Sequence, residues 1–320
     1  MSVSRLRCID LFAGTGGLSL GFKKAGFRIL RAYDAWPEAC ENYNANFDHR
    51  CECADLSDDS VHDEIVKLEP DLIIGGPPCQ DFSHAGTRND NGERAQLTVS
   101  FAEIIKKARP SYFVMENVDR TAKRPIYLDV KQELSAIGYG LTEAVLDASL
   151  CGAPQKRRRL FLIGAIGESD DFLAEALKSG LASKPLTVRE YFGDELNTEF
   201  YYRHPRNYNR RAIFSIDEPS PTIRGVNRPI PPNYPVHKND ACHDLTKVRP
   251  LTFEERARIQ TFPKDFKWIG SKTTVEQMIG NAVPVNLARY VAEKLKEHIQ
   301  KSAAAPSLCR QEQMELIEAV

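Results

Sequence analysis

The chain has 320 residues, with 43 Lys+Arg against 44 Asp+Glu, a formal net charge of -1, 42% hydrophobic and 27% charged residues, which is the composition of an ordinary globular protein. That length buries a sizeable core without staples, so a small scaffold dependent on disulfides or a metal is excluded. No stretch approaches the roughly 20 apolar residues of a bilayer span, and the start lacks the apolar region of a secretory signal, so the expected location is cytoplasmic, with no membrane partner.

In chain order, Arg7–Phe12 (RCIDLF) reads as a buried strand closed by Gly14, and Gly17–Ala25 as a helix with Leu18, Phe22 and Ala25 at helical spacing. Further strands are predicted at Arg28–Tyr33, Asp71–Gly75, Ser111–Met115 and Arg159–Ala165, with helices near 36–46, 59–68, 97–108 and 125–137. This alternation predicts an α/β fold: a Rossmann-like, mostly parallel sheet with helices on both faces and its ligand at the carboxyl ends of the strands. After Leu186 the pattern breaks. Pro205, Pro219, Pro221, Pro229, Pro231, Pro232 and Pro235 fall in a stretch with little helical periodicity, which predicts a smaller, irregular or β-rich domain. Leu251–Gln260 reads as a helix whose Thr252 N-cap and Glu255 complete a capping box. A last helix from about Pro284 to Gln300 sets Ala288, Val291, Ala292, Leu295 and Ile299 on one face, to pack back on the first domain. The tail from Ser302 to Val320 has a weak pattern. The expected organisation is therefore 1–186 with 275–320 as one domain and 187–274 as the other.

The near-zero net charge hides two opposed segments. From Asp34 to Glu64 ten acids face Arg50 alone, and from Tyr201 to Lys238 seven bases face Asp217 and Glu218. Tyr201, Tyr202, Tyr208, Phe214 and Tyr234 are set among those bases, a mixture suited to nucleic acid, although a solvated loop surface has the same composition. The eight cysteines (8, 40, 51, 53, 79, 151, 242, 309) lack CxxC spacing, so neither a metal knuckle nor a disulfide framework is predicted. Cys51 and Cys53, a C-x-C without a nearby partner, read as structural.

Four motifs carry chemistry. Asp10-Leu-Phe-Ala-Gly-Thr-Gly-Gly-Leu18 is a glycine turn between a strand and a helix. Its third fingerprint position is Ser19, and no GK[ST] follows, so a pyrophosphate cradle is disfavoured. Asp34, twenty residues after Gly14, is placed to accept from ribose hydroxyls, although a merely structural turn has the same pattern. Gly75-Gly-Pro-Pro-Cys-Gln-Asp-Phe-Ser83 follows another strand, and its two prolines stiffen a turn that presents Cys79 like a nucleophile. The polar stretch from His84 to Thr98 suits a loop that closes over a substrate. Glu116-Asn-Val118 ends a strand at the same sheet edge, where a partly buried Glu116 would have a raised pKa and donate a proton, or simply cap a helix. In Gln155-Lys-Arg-Arg-Arg159, strand alternation sends Arg157 and Arg159 to one side and Arg158 to the other, a cationic pair or a solvated patch.

Taken with RPLTFEERARIQTFP (249–263) and GNAVPVNLA (280–288), these motifs occur in the order of the cytosine-5 DNA methyltransferases, which the chain resembles over about residues 7 to 300. The resemblance implies S-adenosylmethionine as methyl donor, released as S-adenosylhomocysteine. It implies that Leu11, Phe12, Gly14, Thr15, Gly16, Gly17, Leu18, Asp34, Asp55, Pro77, Asn281 and Val283 form the cofactor site. Phe12 would lie against the adenine, Asp34 on the ribose, Asp55 on the adenine amino group, and Asn281 across the pocket. One departure is that Ala35 stands where many relatives place an aromatic, with Trp36 one residue on. Cys79 would attack C6 of cytosine, Glu116 would meet N3 and the amino group, and Arg157 with Arg159 would hold the O2 side. The target nucleotide is expected to be flipped out. The closing loop would carry Arg94, and segment 187–247 would read double-stranded DNA. Gln80, Ser83, Arg206, Thr222, Arg224 and Arg228 are the expected DNA contacts. Size alone suggests the modification half of a restriction–modification pair, acting as a monomer beside a cognate endonuclease. A tRNA methyltransferase on the same fold and a catalytically silent DNA-binding relative are the alternatives.

Overall fold

The computed structural model describes residues 3–78, 93–205, 207 and 209–318, and for 93–96 and 304–318 the backbone only. The elements run β1 (Arg7–Leu11), α1 (Gly17–Ala25), β2 (Arg28–Asp34), α2 (Pro37–Asn44), β3 (Cys51–Cys53), α3 (Asp59–Lys67), β4 (Leu72–Gly75), α4 (Glu93–Ala108), β5 (Tyr112–Val118), α5 (Pro125–Ala136), β6 (Tyr139–Asp147), β7 (Gln155–Lys156) and β8 (Arg158–Ile166). They continue through α6 (Ala174–Ser179), α7 (Val188–Phe192), β9 (Phe200–Tyr202), β10 (Ile213–Ser215), β11 (Ser220–Pro221), β12 (Val248–Pro250), α8 (Phe253–Ile259), α9 (Lys272–Asn281) and α10 (Val285–Glu318).

Seven strands form one sheet in the order β3-β2-β1-β4-β5-β8-β6. The pairs from β3 through β5 are parallel, and β8 runs antiparallel to both of its neighbours. Parallel strands need helical crossovers that bury both faces, and two apolar clusters accordingly cover the sheet. One gathers α1, α10 and the Cys8, Leu72, Val114 and Ile163 side chains. The other gathers α3, α4 and α5 around Ile9, Ile73, Phe113 and Leu162. Ala288, Val291, Ala292, Leu295 and Ile299 of α10 lie in the first cluster, so the last helix does return to the sheet domain. It approaches α1 at Gly21, where a Cβ would stand 2.4 Å from Ala288 Cβ and 2.8 Å from the Val285 carbonyl. The backbone of α10 runs on to Glu318, so the weakly patterned tail is helical for most of its length.

Strands β3 and β6 have no counterpart in the sequence reading. β3 is three residues long, and β6 is an edge strand pairing only with β8, with Val145 exposed; neither shows the alternation or apolar run that marks a strand. Residues 93–98, expected as part of a loop, form the first turns of α4. After α7 the chain builds a three-stranded sheet, β10-β9-β12, and the strand pair β11-β7. Tyr202, Ile213 and Tyr234 fill one small core there, while Tyr201, Phe214 and Ile223 join Ile259, Phe262 and Ile279 in another. The α8 capping box is present as read, with Thr252 and Glu255 capping each other reciprocally.

Candidate active site

The chain leaves β1 toward β2 and β3, then crosses back to β4, so the sheet order reverses between β1 and β4 and leaves a crevice at their carboxyl ends. An open cleft of about 1410 Å³ lies there. One end is built by the glycine turn. Phe12 leaves β1 with φ 56°, a left-handed conformation rare for a bulky residue and typical of functional turns, and Gly14 and Gly16 follow with φ 54° and 90°. At Gly17 a Cβ would stand 2.3 Å from the Val283 carbonyl, so the GNAVP segment closes on the turn only because the side chain is absent.

Phe12, Gly14, Thr15, Gly17, Leu18, Asp34, Asp55, Pro77, Asn281 and Val283 all line the cleft, while Gly16 packs behind the turn under Tyr43 and Phe47. Leu11 does not join them. Its side chain is in the core, and its carbonyl accepts from the Gly76 N–H. Asp34 accepts from the Gly14 N–H at 2.7 Å and the Trp36 N–H at 2.8 Å, and burial pushes its pKa up against those donors. Asp55 uses one oxygen to hold the Ser57 N–H at 2.9 Å. Trp36 lines the same end, so the aromatic missing at position 35 is present one residue later. Ser19, where a dinucleotide fingerprint has glycine, donates from its hydroxyl to the fully buried Asp10 at 2.6 Å and accepts from Tyr43 at 2.7 Å. Burial pushes the Asp10 carboxyl up to about 7.

The middle of the cleft holds the candidate reacting groups. Val118 of β5 pairs with Arg159 of β8, which sets Glu116 diagonally beside Arg159 on one sheet face. Arg159 Nε stands 2.8 Å from Glu116 Oε1. Glu116 is 8% exposed, and burial raises its pKa against the opposing charges of Arg159 and Arg157. Gly76 makes room for it, since a Cβ there would lie 3.1 Å from Glu116 Oε2. Asn117 donates from its amide to the Pro77 carbonyl at 3.0 Å and so ties the ENV segment to the proline turn, a role its sequence position alone did not signal. Pro77 and Pro78 line the cleft and lead directly to Cys79. Cys79, Gln80, Ser83, Arg206 and the side chain of Arg94 lie outside the described residues.

Arg157 departs from the simple alternation. It falls between β7 and β8, is 2% exposed, and donates to the carbonyls of Ile223 (2.9 Å), Gly280 (3.0 Å) and Ala282 (3.1 Å). Gln155 joins it, accepting from the Ile223 N–H at 2.8 Å and donating to Gln260 at 2.7 Å; Gln260 in turn donates to the Ile279 and Ala282 carbonyls. Three buried polar side chains thus knit the third wall to the GNAVP segment. That wall carries Arg203, Arg210, Arg211, Thr222 and Arg224. Thr222 donates to the Lys156 carbonyl at 2.8 Å, and Arg224 reaches the His204 carbonyl. Arg228 is exposed and is not part of the cleft wall. Arg203, Arg210 and Arg211 were not singled out among the expected DNA contacts; their signal was the basic segment as a whole.

A cleft with two acids and no Lys or Arg among its lining residues at one end, a buried Glu116 paired with Arg159 at its centre and four arginines on its far wall calls for comparison with known proteins. The family model of the C-5 cytosine-specific DNA methylases matches residues 6–297. The chain belongs to that family. This methylase is 56% identical over 292 residues to the Type II methyltransferase M.HindV of Haemophilus influenzae, covering 91% of this chain and 96% of the relative. It is 52% identical over 297 residues to M.HgiDI of Herpetosiphon aurantiacus, covering 92% and 96%. Among solved structures, the methylase superposes on S. pombe Dnmt2 methyltransferase with TM-score 0.69 at 18% identity, over 92% of this chain and 99% of that one. It also superposes on a putative DNA modification methyltransferase of an E. coli prophage with TM-score 0.67 at 22% identity, over 92% and 99%. At those identities the likeness speaks for the fold. The chain is a methyltransferase with the mostly parallel α/β sheet of that fold, and among the described residues no helix is long and apolar enough to cross a membrane.

Proposed function

We propose that this methylase transfers a methyl group from S-adenosylmethionine to C5 of a cytosine flipped out of double-stranded DNA at a specific sequence. The observation that carries the reading is the Glu116–Arg159 pair, 2.8 Å apart, opening onto the same cleft as Asp34 and the Pro77–Pro78 turn. The cofactor fits the chemistry of its end of the cleft. No Lys or Arg occurs among the lining residues from Phe12 to Leu56, where a pyrophosphate would want one, whereas Asp34 and Asp55 suit hydroxyl and amino donors. S-adenosylmethionine supplies an electrophilic methyl group when bound.

The residues do the rest. Cytosine C5 is a poor nucleophile until a thiolate adds at C6, breaks the aromatic ring and makes C5 enamine-like; Cys79 is that thiolate. Glu116, whose pKa burial raises, donates to the base at N3 as the ring accepts charge. Arg159 orients Glu116 and offers its remaining N–H groups to the O2 side. Loss of the C5 proton to water expels Cys79 and restores the ring. Arg157, with its Nη groups held by three carbonyls, positions the wall rather than the base. C6 is unreachable in a stacked duplex, so the base is extruded. In this reading residues 187–274 form the target-recognition domain, and 1–186 with 275–320 the catalytic one.

The relatives' designation as Type II methyltransferases supports a place in a restriction–modification pair. The enzyme acts as a monomer, methylating the two strands separately, beside a cognate endonuclease that it does not bind stably. The deciding experiment is bisulfite sequencing of unmethylated plasmid after incubation with the protein and S-adenosylmethionine, with Cys79→Ala as control. One cytosine protected within one short motif, and not in the control, is the expected result; methylation of tRNA alone would overturn the choice of substrate.

A further inference from the structure

Three consecutive carbonyls of one segment are each held by an arginine from a different part of the chain. Arg203, just after β9, donates to the Thr222 carbonyl at 2.7 Å and 3.2 Å; Arg157 donates to the Ile223 carbonyl at 2.9 Å; and Arg256 of α8 donates to the Arg224 carbonyl. Ile223 is buried, while Thr222 and Arg224 line the arginine wall of the cleft. The hold continues past them. Gly225 packs on α9, where a Cβ would stand 3.1 Å from Gln277 Cα, and the Asn227 amide donates to Glu276 Oε1 and to the Leu251 carbonyl, each at 2.9 Å. Arg256 and Glu276 are ion-paired, and both are buried. Burial, with the nearby charges of Arg203 and Arg224, lowers the Arg256 pKa to about 10, which leaves the side chain cationic at neutral pH.

We propose that the buried Arg256–Glu276 pair is a positioning device for sequence recognition, fixing residues 222–227 as a preformed edge so that Thr222 and Arg224 meet the bases in one register. The inference rests on the reading of the chain as a sequence-specific DNA methylase, and it names residues that this reading does not contain. Stability alone does not account for the pair. Desolvation offsets much of the attraction between two buried charges, and apolar residues of similar volume often stabilise as well or better. Nor does the pair serve to bury the segment, since Val226, between the two anchored residues, is 49% exposed. What the pair supplies is direction. One guanidinium engages Glu276 through Nη1 and the Arg224 carbonyl through Nη2, while Glu276 turns its other oxygen to Asn227. Both ends of the segment are thereby referenced to one group shared by α8 and α9. A segment ordered before DNA arrives does not lose that freedom on binding, and it does not relax to accommodate a wrong base.

The test compares the wild-type chain with the apolar pair Arg256→Met/Glu276→Leu and with Asn227→Ala, which cuts the tether and leaves the ion pair in place. Methylation of duplex oligonucleotides is followed on the motif found by bisulfite sequencing and on each of its single-base variants. The double variant is expected to unfold in urea at the wild-type midpoint and to keep its S-adenosylmethionine affinity. Its ratio of kcat/KM between the motif and the variants should fall at least about tenfold, the order of one base contact. That loss should lie in KM for the motif duplex, with kcat at saturating duplex little changed. Arg256→Lys, which keeps the charge but offers one nitrogen to two partners, should fall between. If the double variant does not fold, Asn227→Ala decides: relaxed discrimination at unchanged S-adenosylmethionine affinity sustains the proposal. A folded variant as selective as wild type, or one that loses activity equally on every duplex as a merely structural role would give, overturns it. A wild-type chain that methylates no duplex overturns the DNA reading itself, whereas one selective motif beside an equally selective variant overturns only the role of the pair.

Discussion

Glu116 and Asp10 are both acids whose pKa burial raises, and the two shifts act on different quantities. In the proposed mechanism the relevant species of Glu116 is the protonated donor, whose population falls as pH rises through the raised pKa. The methylation rate should therefore decline on the alkaline side. Arg159→Ala removes the cation that opposes the shift, so the decline should move to higher pH while the rate falls; a pH–rate profile reads both. Glu116→Gln should lower the rate by about 10²- to 10⁴-fold, as loss of a positioned proton donor does, in single-turnover kinetics. For Asp10 the relevant quantity is stability. Its folded value of about 7 exceeds the ordinary aspartate value of 3.8, so the folded state binds more protons, and this contribution is full below pH 4 and lost as pH rises through 7. Asp10→Asn keeps an acceptor for Ser19 without the charge. It should flatten urea-measured stability between those pH values by on the order of 4 kcal/mol. A flat wild-type profile would refute the argument. That Asp10 matters was hidden in sequence, because Ser19 reads only as a missing glycine.

At the scale of elements, close backbone approaches decide what docks on what. The end of α9 meets the Arg224–Gly225 backbone at Gly280, where a Cβ would stand 2.0 Å from Gly225 N and 2.3 Å from Arg224 C. Neither obstacle is a flexible side chain, so Gly280→Ala must move one backbone off the other. The expected cost is about 1 to 3 kcal/mol in urea unfolding, together with weaker DNA binding because Thr222 and Arg224 ride on the displaced segment. The helices and parallel strands of the sheet domain were legible from periodicity and glycine turns, since each buries enough apolar surface to mark its own sequence. β3 and β6 were not, because one is three residues long and the other is an edge strand whose buried and half-buried positions do not alternate.

Across the whole molecule, the acidic and basic segments fall on opposite ends of one cleft. Asp34 and Asp55 stand at one end, and Arg203, Arg210, Arg211 and Arg224 on the other wall. A polyanion is thereby directed to the arginine wall and away from the cofactor end. DNA affinity should fall log-linearly with salt, and Arg210→Ala should reduce that slope by about one while weakening all sequences alike. A steeper loss on one sequence alone would make Arg210 a base reader instead. The two walls are joined by Gln155, Arg157 and Gln260, so a change at Ile223 bears directly on the carbonyls flanking Asn281.

The sequence by itself determined the family, the order of the motifs and the residue types of the site, because each motif is contiguous and its chemistry is carried by a few neighbouring residues. The tertiary structure alone decided which distant groups share a space. Gln155 and Gln260 are 105 positions apart and meet in a buried hydrogen bond. Arg157 donates to the carbonyls of Ile223, Gly280 and Ala282, and Cys40 of α2 meets Cys51 of β3. No local pattern encodes such meetings, since they follow from how crossovers and sheet order fold the chain back on itself.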